Sequence, residues 1–225
     1  MDVNGIIFLC DIEVMIKIIN ENKHGPEMVE EFIVYSVKIR RPRIDDTKEL
    51  TQFFRTVIRD TFMREGLEEM RDEIENEIEV KKEYLKTDLD SNGQKRYFLV
   101  ALINDNIVGT IEYGLASGLI NKCTDGVLKE LVEIGTVFVK PDYQGQGIGN
   151  LLLNAMYLTL QSRGIEEFCL DSGYVNAQKI WKKKFGEPDY LLENYWGEGY
   201  PHMIWRKRIS DISIMFRNIS RFSNE

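Results

Sequence analysis

The sequence predicts an α/β fold on three observations. A β-branched run over residues 132–139 stops at Pro141 and passes through a glycine-rich turn into a helical stretch. Two apolar stripes with three- and four-residue spacing lie between Leu50 and Ile78. Strand-like runs at 97–103 and 107–113 flank a polar turn, Asn104-Asp105-Asn106. The chain of 225 residues is long enough for one domain with a sizeable core and short extensions.

The elements follow in order. Residues 1–30 are apolar in patches, with Asp2, Asp11 and Glu13 interrupting and no basic segment ahead of them. That makes a poor signal peptide and too short a span for a membrane. The stretch is read as an N-terminal extension of unknown role: an extra strand, an extra helix or a partner-docking arm. Residues 32–39 alternate as a first strand, ended by Arg40-Arg41-Pro42-Arg43. Asp46 and Glu49 have the spacing of a capping box. Leu50, Phe53, Phe54, Val57, Ile58 and Thr61 then share one helical face. Met63, Leu67, Met70, Ile74 and Ile78 predict a second amphipathic helix whose other face is dense in carboxylates, Glu65, Glu68, Glu69 and Glu73 among them. That face reads either as solvated surface or as an acidic wall that attracts an amine.

Residues 88–93 read as a loop before the hairpin, and 119–131 as a long connection. Ile148, Leu151, Leu152, Ala155 and Leu158 form the buried stripe of a third helix, which Gly164 stops. Residues 167–171 form a strand. Asn176 reads as the N-cap of a last helix, with Val175 and Ile180 as a hydrophobic staple. A closing strand pair is expected at 190–196 and 202–205, and 210–225 is a polar, basic tail.

Composition narrows the partners. A net charge of −8 argues against a sequence-independent nucleic-acid binder, which needs a basic stripe, and mildly favours cationic small partners. Three cysteines, Cys10, Cys123 and Cys169, lie far apart without a CxxC, so a reducing, cytoplasmic location is expected. Only His24 and His202 could supply imidazole to a zinc site or a serine triad, and no metal site is expected. His202, in an aromatic strand, reads as a packed residue.

The glycine turn bears the chemistry. A helix N-terminus after such a turn offers unpaired N–H groups to a phosphate, and glycines let the backbone approach it closely. A P-loop would need Lys-Ser or Lys-Thr after the last glycine, where this chain has Ile148-Gly149-Asn150. The dinucleotide fingerprint would need its third glycine one position later than Gly149. The pattern Q/R-x-x-G-x-G/A is met by Gln144, Gly147 and Gly149. It resembles the acetyl-CoA pyrophosphate loop of the Gcn5-related N-acetyltransferases, the GNAT superfamily. Val137-Phe138-Val139-Lys140-Pro141 resembles the family strand that ends in V-x-P before that loop. The segment from Asn176 to Gly186 is similar to the helix N-x-x-A…Y-x-K-x-G-F with its register altered. The resemblance spans roughly residues 33–209 and is strongest over 133–186.

The resemblance implies a GNAT domain over 31–209, between the extension 1–30 and the tail 210–225. Its fold is a mixed, mostly antiparallel sheet of about seven strands, splayed between the family's strands 4 and 5 and flanked by about four helices. It implies an acetyl-CoA-dependent N-acetyltransferase without a metal, acting by direct transfer on a small-molecule or protein amine, with no nucleic acid or membrane partner and scope for a homodimer. The cofactor residues implied are Val137, Phe138 and Val139 along the strand, Gln144, Gly145, Gln146, Gly147, Ile148 and Gly149 in the loop, and Asn176 on the pantetheine side. Lys179, Lys182 and Lys183 are within the family helix that approaches the adenosine phosphates. Glu133, eleven residues before Gln144, has the spacing of the general base in histone-acetylating members. Glu112 competes for that role. Trp181 stands where many members have a tyrosine general acid, leaving Tyr174, Tyr190, Tyr195 or water to protonate the thiolate. A non-catalytic acyl-CoA-binding or sensing module with the same fold is the alternative reading.

Overall fold

The computed structural model describes residues 12–20 and 31–214, with side chains from Ser36 onward. In chain order the elements are β1 (Ile12–Asn20), β2 (Glu31–Arg40), α1 (Thr47–Arg64), α2 (Arg71–Asp90), β3 (Arg96–Ile103), β4 (Asn106–Leu115), α3 (Gly118–Cys123), β5 (Val132–Val139), α4 (Ile148–Ser162), β6 (Glu167–Ser172), α5 (Val175–Phe185), β7 (Tyr190–Leu192) and β8 (His202–Arg208). They build one sheet in the order β1-β2-β3-β4-β5-β6-β8-β7. Every neighbouring pair is antiparallel except β5 and β6. This is the mixed, splayed sheet expected, with one strand added. The addition, β1, lies in the N-terminal extension and pairs along its whole length with β2.

The sheet is covered on both faces. β3 alternates accordingly: Tyr97, Leu99, Ala101 and Ile103 join the core beneath α4, while Phe98, Val100 and Leu102 join the core beneath α1 and α2. α5 adds Trp181 and Phe185 to the α4 side. A smaller cluster, Ala116, Ile120, Leu128, Cys169 and Ile204, closes the opposite face near α3. The β3–β4 hairpin turns through Asn104 and Asp105, both left-handed at φ 49° and 60°, as a two-residue turn requires. Gly164 terminates α4 with φ 70°.

Several local expectations are corrected. Asp46 does not cap α1 through its side chain: its carboxylate accepts from Arg40 and from the Arg43 N–H, closing the short 3-10 turn ahead of the helix. Glu49 leaves the box as well, accepting from Ile107 N–H at 2.7 Å. Met63 ends α1 rather than starting the second helix, and α2 begins only at Arg71. α2 then continues through Asp88 to Asp90, where a loop was expected. Asn176 lies inside α5, whose N-cap is Tyr174, and Ile180 is exposed, so neither cap nor staple forms. The closing strands are Tyr190–Leu192 and His202–Arg208. Among the described residues no helix is long and apolar enough to cross a membrane. The tail beyond Ile214 lies outside the described residues.

Asp88 explains why α2 runs on. Its carboxylate is fully buried, takes both oxygens to Arg41 Nη2 at 2.8 Å and accepts from Phe98 N–H at 2.9 Å. It thereby ties the end of β2, the end of α2 and the start of β3 together. Removing one partner of such a pair strands a buried charge. Arg41→Ala should therefore destabilise the fold by about 3 kcal/mol in denaturant unfolding. A loss under about 1 kcal/mol would show that Asp88 is held adequately by the Phe98 amide alone.

Candidate functional site

The site begins with a bend in β5. Val132 and Ile134 face the α4 core, while Glu133 and Gly135 face α1 and α2. At Thr136 the backbone turns left-handed, φ 51°, and the register against β4 shifts between Thr110 and Glu112. Two buried hydrogen bonds hold this bulge. Thr136 Oγ1 donates to Glu112 Oε1 at 3.0 Å, and Thr110 Oγ1 donates to the Thr136 carbonyl at 3.0 Å. β5 pairs with β6 only at Val132↔Phe168 and Glu133↔Cys169, and the two strands then part.

A cleft of about 530 Å³ opens beyond the parting. Val137 and Val139 form one wall. The loop after β5 forms the floor. Gly145 and Gly147 adopt φ 76° and 89°, and a Cβ on either would point into open space, so both glycines are needed for backbone conformation. The first intrahelical bond of α4 runs from Leu151 N–H to the Gly147 carbonyl. The amides of Ile148, Gly149 and Asn150 therefore have no partner within the helix and are free for an anion. Both glutamine side chains shape the loop: Gln144 Nε2 donates to the Val139 carbonyl and Gln146 Nε2 to the Asp142 carbonyl.

Most of the expected cofactor residues meet here: Val137, Val139, Gln144, Gly145, Gly147, Ile148, Gly149 and Asn176 all line the cleft. Four others do not. The Phe138 side chain packs into the α1–α2 core. The Gln146 side chain is committed within the loop, Lys179 is exposed away from the lining, and Lys182 pairs with Glu187 at 2.8 Å. The lysine at the cleft is Lys184, whose Nζ donates to Asn150 Oδ1 at 3.0 Å and whose ammonium burial holds below its ordinary range. Helical spacing carried a signal for it: Ala177, Ile180, Trp181 and Lys184 fall on one face of α5, and all four line the cleft.

The end of α1 also reaches the cleft, and the sequence reading missed it. Arg64 Nη1 donates to Gln144 Oε1 at 2.8 Å. The Glu65 carboxylate accepts from the Val175 and Asn176 amides at 3.1 and 2.9 Å, supplying the cap that Asn176 does not. Adjacent residues thus bridge the glycine loop and α5. No local pattern marks them, because their partners are 80 to 111 residues away.

The polar end of the site lies on the other side of the bulge. Glu112 is buried against Arg96 and Thr136; burial pushes its carboxyl up, and Arg96 and Lys81 pull it partly back. Burial works against the Lys81 ammonium too, yet Glu77 and Glu112 hold it above its ordinary range. Glu112 thus has fixed structural partners. Glu133 has no cationic partner among the described residues: its Oε2 accepts from Ser117 N–H at 2.6 Å. Burial, then the Asp171 and Glu112 charges, raise the Glu133 carboxyl to about 7. The neighbouring Cys169 thiol is pushed up to about 12, chiefly by burial. Glu133 is not in the cleft lining; it stands four residues before Val137, behind the bulge. Of the tyrosines considered as proton donors, Tyr174 lines the cleft, together with Tyr143, whereas Tyr190 packs near α3 and Tyr195 against His202. Trp181 stacks on Phe185. Among the described residues no group of three His, Cys, Asp or Glu side chains is placed to hold a metal ion.

Comparison with known proteins places this geometry. The model of the acetyltransferase (GNAT) family matches residues 54–187. No curated protein matches the sequence. Solved structures share the fold. One, from Desulfovibrio desulfuricans and assigned to the GNAT family, is 15% identical with a TM-score of 0.57, covering 77% of this chain and 99% of its own. The PaiA N-acetyltransferase of Thermoplasma acidophilum, solved with coenzyme A, is 18% identical with a TM-score of 0.55, covering 76% and 98%. The ribosomal-protein-alanine N-acetyltransferase of Brucella melitensis is 17% identical with a TM-score of 0.53, covering 76% and 98%.

The raised carboxyl is directly measurable. Carbon-detected NMR of the intact protein should give Glu133 a titration midpoint about 7, well above the ordinary glutamate value. A midpoint near the ordinary 4.3 would show that the site is wetter and less charged than its geometry indicates.

Proposed function

The chain belongs to the acetyltransferase (GNAT) family, and on that premise we propose that it is an N-acetyltransferase moving an acetyl group from acetyl-CoA directly to a primary amine. The observation that supports this most is the α4 N-terminus, where unpaired amides and two left-handed glycines open onto a cleft between parting strands. These residues fit the pyrophosphate of acetyl-CoA, with Lys184 near the same loop as a further cation. Val137 and Val139 would pair by main chain with the pantetheine arm, as an added strand does. The Val137 N–H at the bulge is the donor suited to polarise the thioester carbonyl.

Glu133 is the general base in this reading. An amine attacks only once it is neutral, so a carboxylate must take its proton, directly or through water. A midpoint about 7 leaves Glu133 basic and about half ionised at neutral pH. Because the active form is the deprotonated one, kcat/KM should rise with pH through about 7 and then level. The thiolate leaves with a pKa near 8.5 and needs little help; Tyr174 and Tyr143, which line the cleft, are the candidates to protonate it. The acceptor is a small-molecule or protein amine. The solved relatives include a ribosomal-protein-alanine N-acetyltransferase and an aminoglycoside 6'-acetyltransferase, so their names span both kinds. The described cysteines, Cys123 and Cys169, are free thiols, in keeping with a cytoplasmic protein.

Thiol release from acetyl-CoA over a panel of primary amines tests the reading. Glu133→Gln should lower kcat by about 10²-fold with the KM for acetyl-CoA nearly unchanged. Gly147→Asp sets a carboxylate against the pyrophosphate and should abolish acetyl-CoA binding in calorimetry while the protein stays folded. Binding without thiol release for any amine would make the chain an acyl-CoA-binding module instead. Unchanged affinity in Gly147→Asp would remove the cofactor assignment.

A further inference from the structure

His202 opens β8 and is 1% exposed. Trp196 Nε1 donates to its Nδ1 at 3.2 Å, and its Nε2 lies 3.1 Å from Asp171 Oδ2, a close contact that is not aligned as a hydrogen bond. An indole N–H only donates, so Nδ1 must offer a lone pair, which assigns the ring proton to Nε2, on the Asp171 side. Asp171 stands two residues after Cys169, the residue paired with Glu133 in the short parallel ladder. It therefore shares the Glu133 face of the sheet, where β5 and β6 begin to part.

The segment before β8 is folded onto this position. Trp196 N–H donates to the Tyr200 carbonyl, Tyr200 N–H to the Gly197 carbonyl, and Gly199 N–H to Asn194 Oδ1. The indole covers Gly173 so closely that a Cβ there would come within 2.6 Å of Nε1. The Tyr195 ring packs on both Trp196 and His202. The loop is thus pinned to the end of β6 by the buried imidazole, by the indole over Gly173 and by Gln178 Nε2, which donates to the Ser172 and Pro201 carbonyls.

We propose that Asp171 is a positioning residue for Glu133, set at the mouth of the strand splay beside His202, whose tautomer Trp196 fixes. This rests on the reading of Glu133 as the base. The groups facing Glu133 are Glu112 from β4, Cys169 and Asp171 from β6, Tyr84 from α2 and the Ser117 amide. Glu112 is already offset by Arg96 and Lys81. Among the described residues no Lys or Arg pairs with Asp171, so its charge acts on Glu133 without a cation between. The chain from Trp196 to Asp171 therefore affects how readily Glu133 holds a proton, and it connects that property to the 193–201 loop packed on the end of β6.

The test is the Glu133 carboxyl titration by NMR, with the acid limb of kcat/KM for 1,4-diaminobutane acetylation as a second readout. Asp171→Asn removes a like charge and should lower the Glu133 midpoint by about one pH unit, the acid limb moving with it. His202→Phe keeps the bulk but frees Asp171, and should move the midpoint in the same direction. His202→Gln restores a donor and an acceptor at similar reach and should return it toward the wild-type value. Asp171 is partly exposed, so Asp171→Asn tests the charge without disturbing the core. An unmoved midpoint in Asp171→Asn, or a His202→Phe protein that titrates like wild type, overturns the proposal. Glu133→Gln separates the two readings. If that variant turns over normally, the base assignment fails; if it is inactive while the midpoint stays fixed in Asp171→Asn, only the positioning role fails.

Discussion

Thr136 is a β-branched residue on left-handed backbone in the middle of a strand, a conformation that costs of order 1–3 kcal/mol and persists only where its surroundings impose it. Here the surroundings are a buried ionic network. Thr136 donates to Glu112, Glu112 pairs with Arg96, and Lys81 of α2 adds a second cation. Gly135 is part of the same arrangement, since a Cβ there would come within 2.7 Å of Glu112 Oε1. The bend directs Val137 and Val139 away from β6 and along the cleft wall. Without it, β5 would continue its ladder with β6, and no space would exist for a ligand between them.

The same network sorts the carboxylates. Glu112 has two cations and a hydroxyl, so its charge is spent on holding the bulge. Glu133, one face-sharing position away on β5, has a single amide and two like charges as neighbours, which raises its affinity for a proton. One strand therefore bears both the structural defect that opens the cleft and the carboxylate suited to acid–base work, on opposite sides of the defect.

Signals confined to a few neighbouring residues were legible in the sequence. The glycine loop, the Asn104-Asp105 turn, the Gly164 stop and the stripes of α1 and α4 depend on contacts one helical turn or one hairpin apart, and each formed where its pattern indicated. Polar side chains with several local options were not legible. Asp46, Glu49 and Asn176 all carry capping chemistry, yet other partners took their places: Asp46 accepts from Arg40 six residues away, Glu49 from the Ile107 amide, and Glu65 caps α5 in place of Asn176. The break between α1 and α2 was hidden because Met63 and Leu67 extend the apolar spacing across it. The lysine of the cleft could have been read from the face of α5 but not from composition, where three consecutive lysines look alike. His202 was expected to be packed, and it is; its two polar contacts depend on Trp196 and Asp171 arriving from either side.

The central claim is that the bend in β5 and the free amides of α4 together form the acetyl-CoA site. Backbone amide NMR during titration with acetyl-CoA measures this directly. The account predicts saturable shifts concentrated at Val137, Val139 and residues 145–150, with β2 and the outer edge of the sheet unmoved. Shifts confined to other surfaces, or none at millimolar acetyl-CoA, would contradict it.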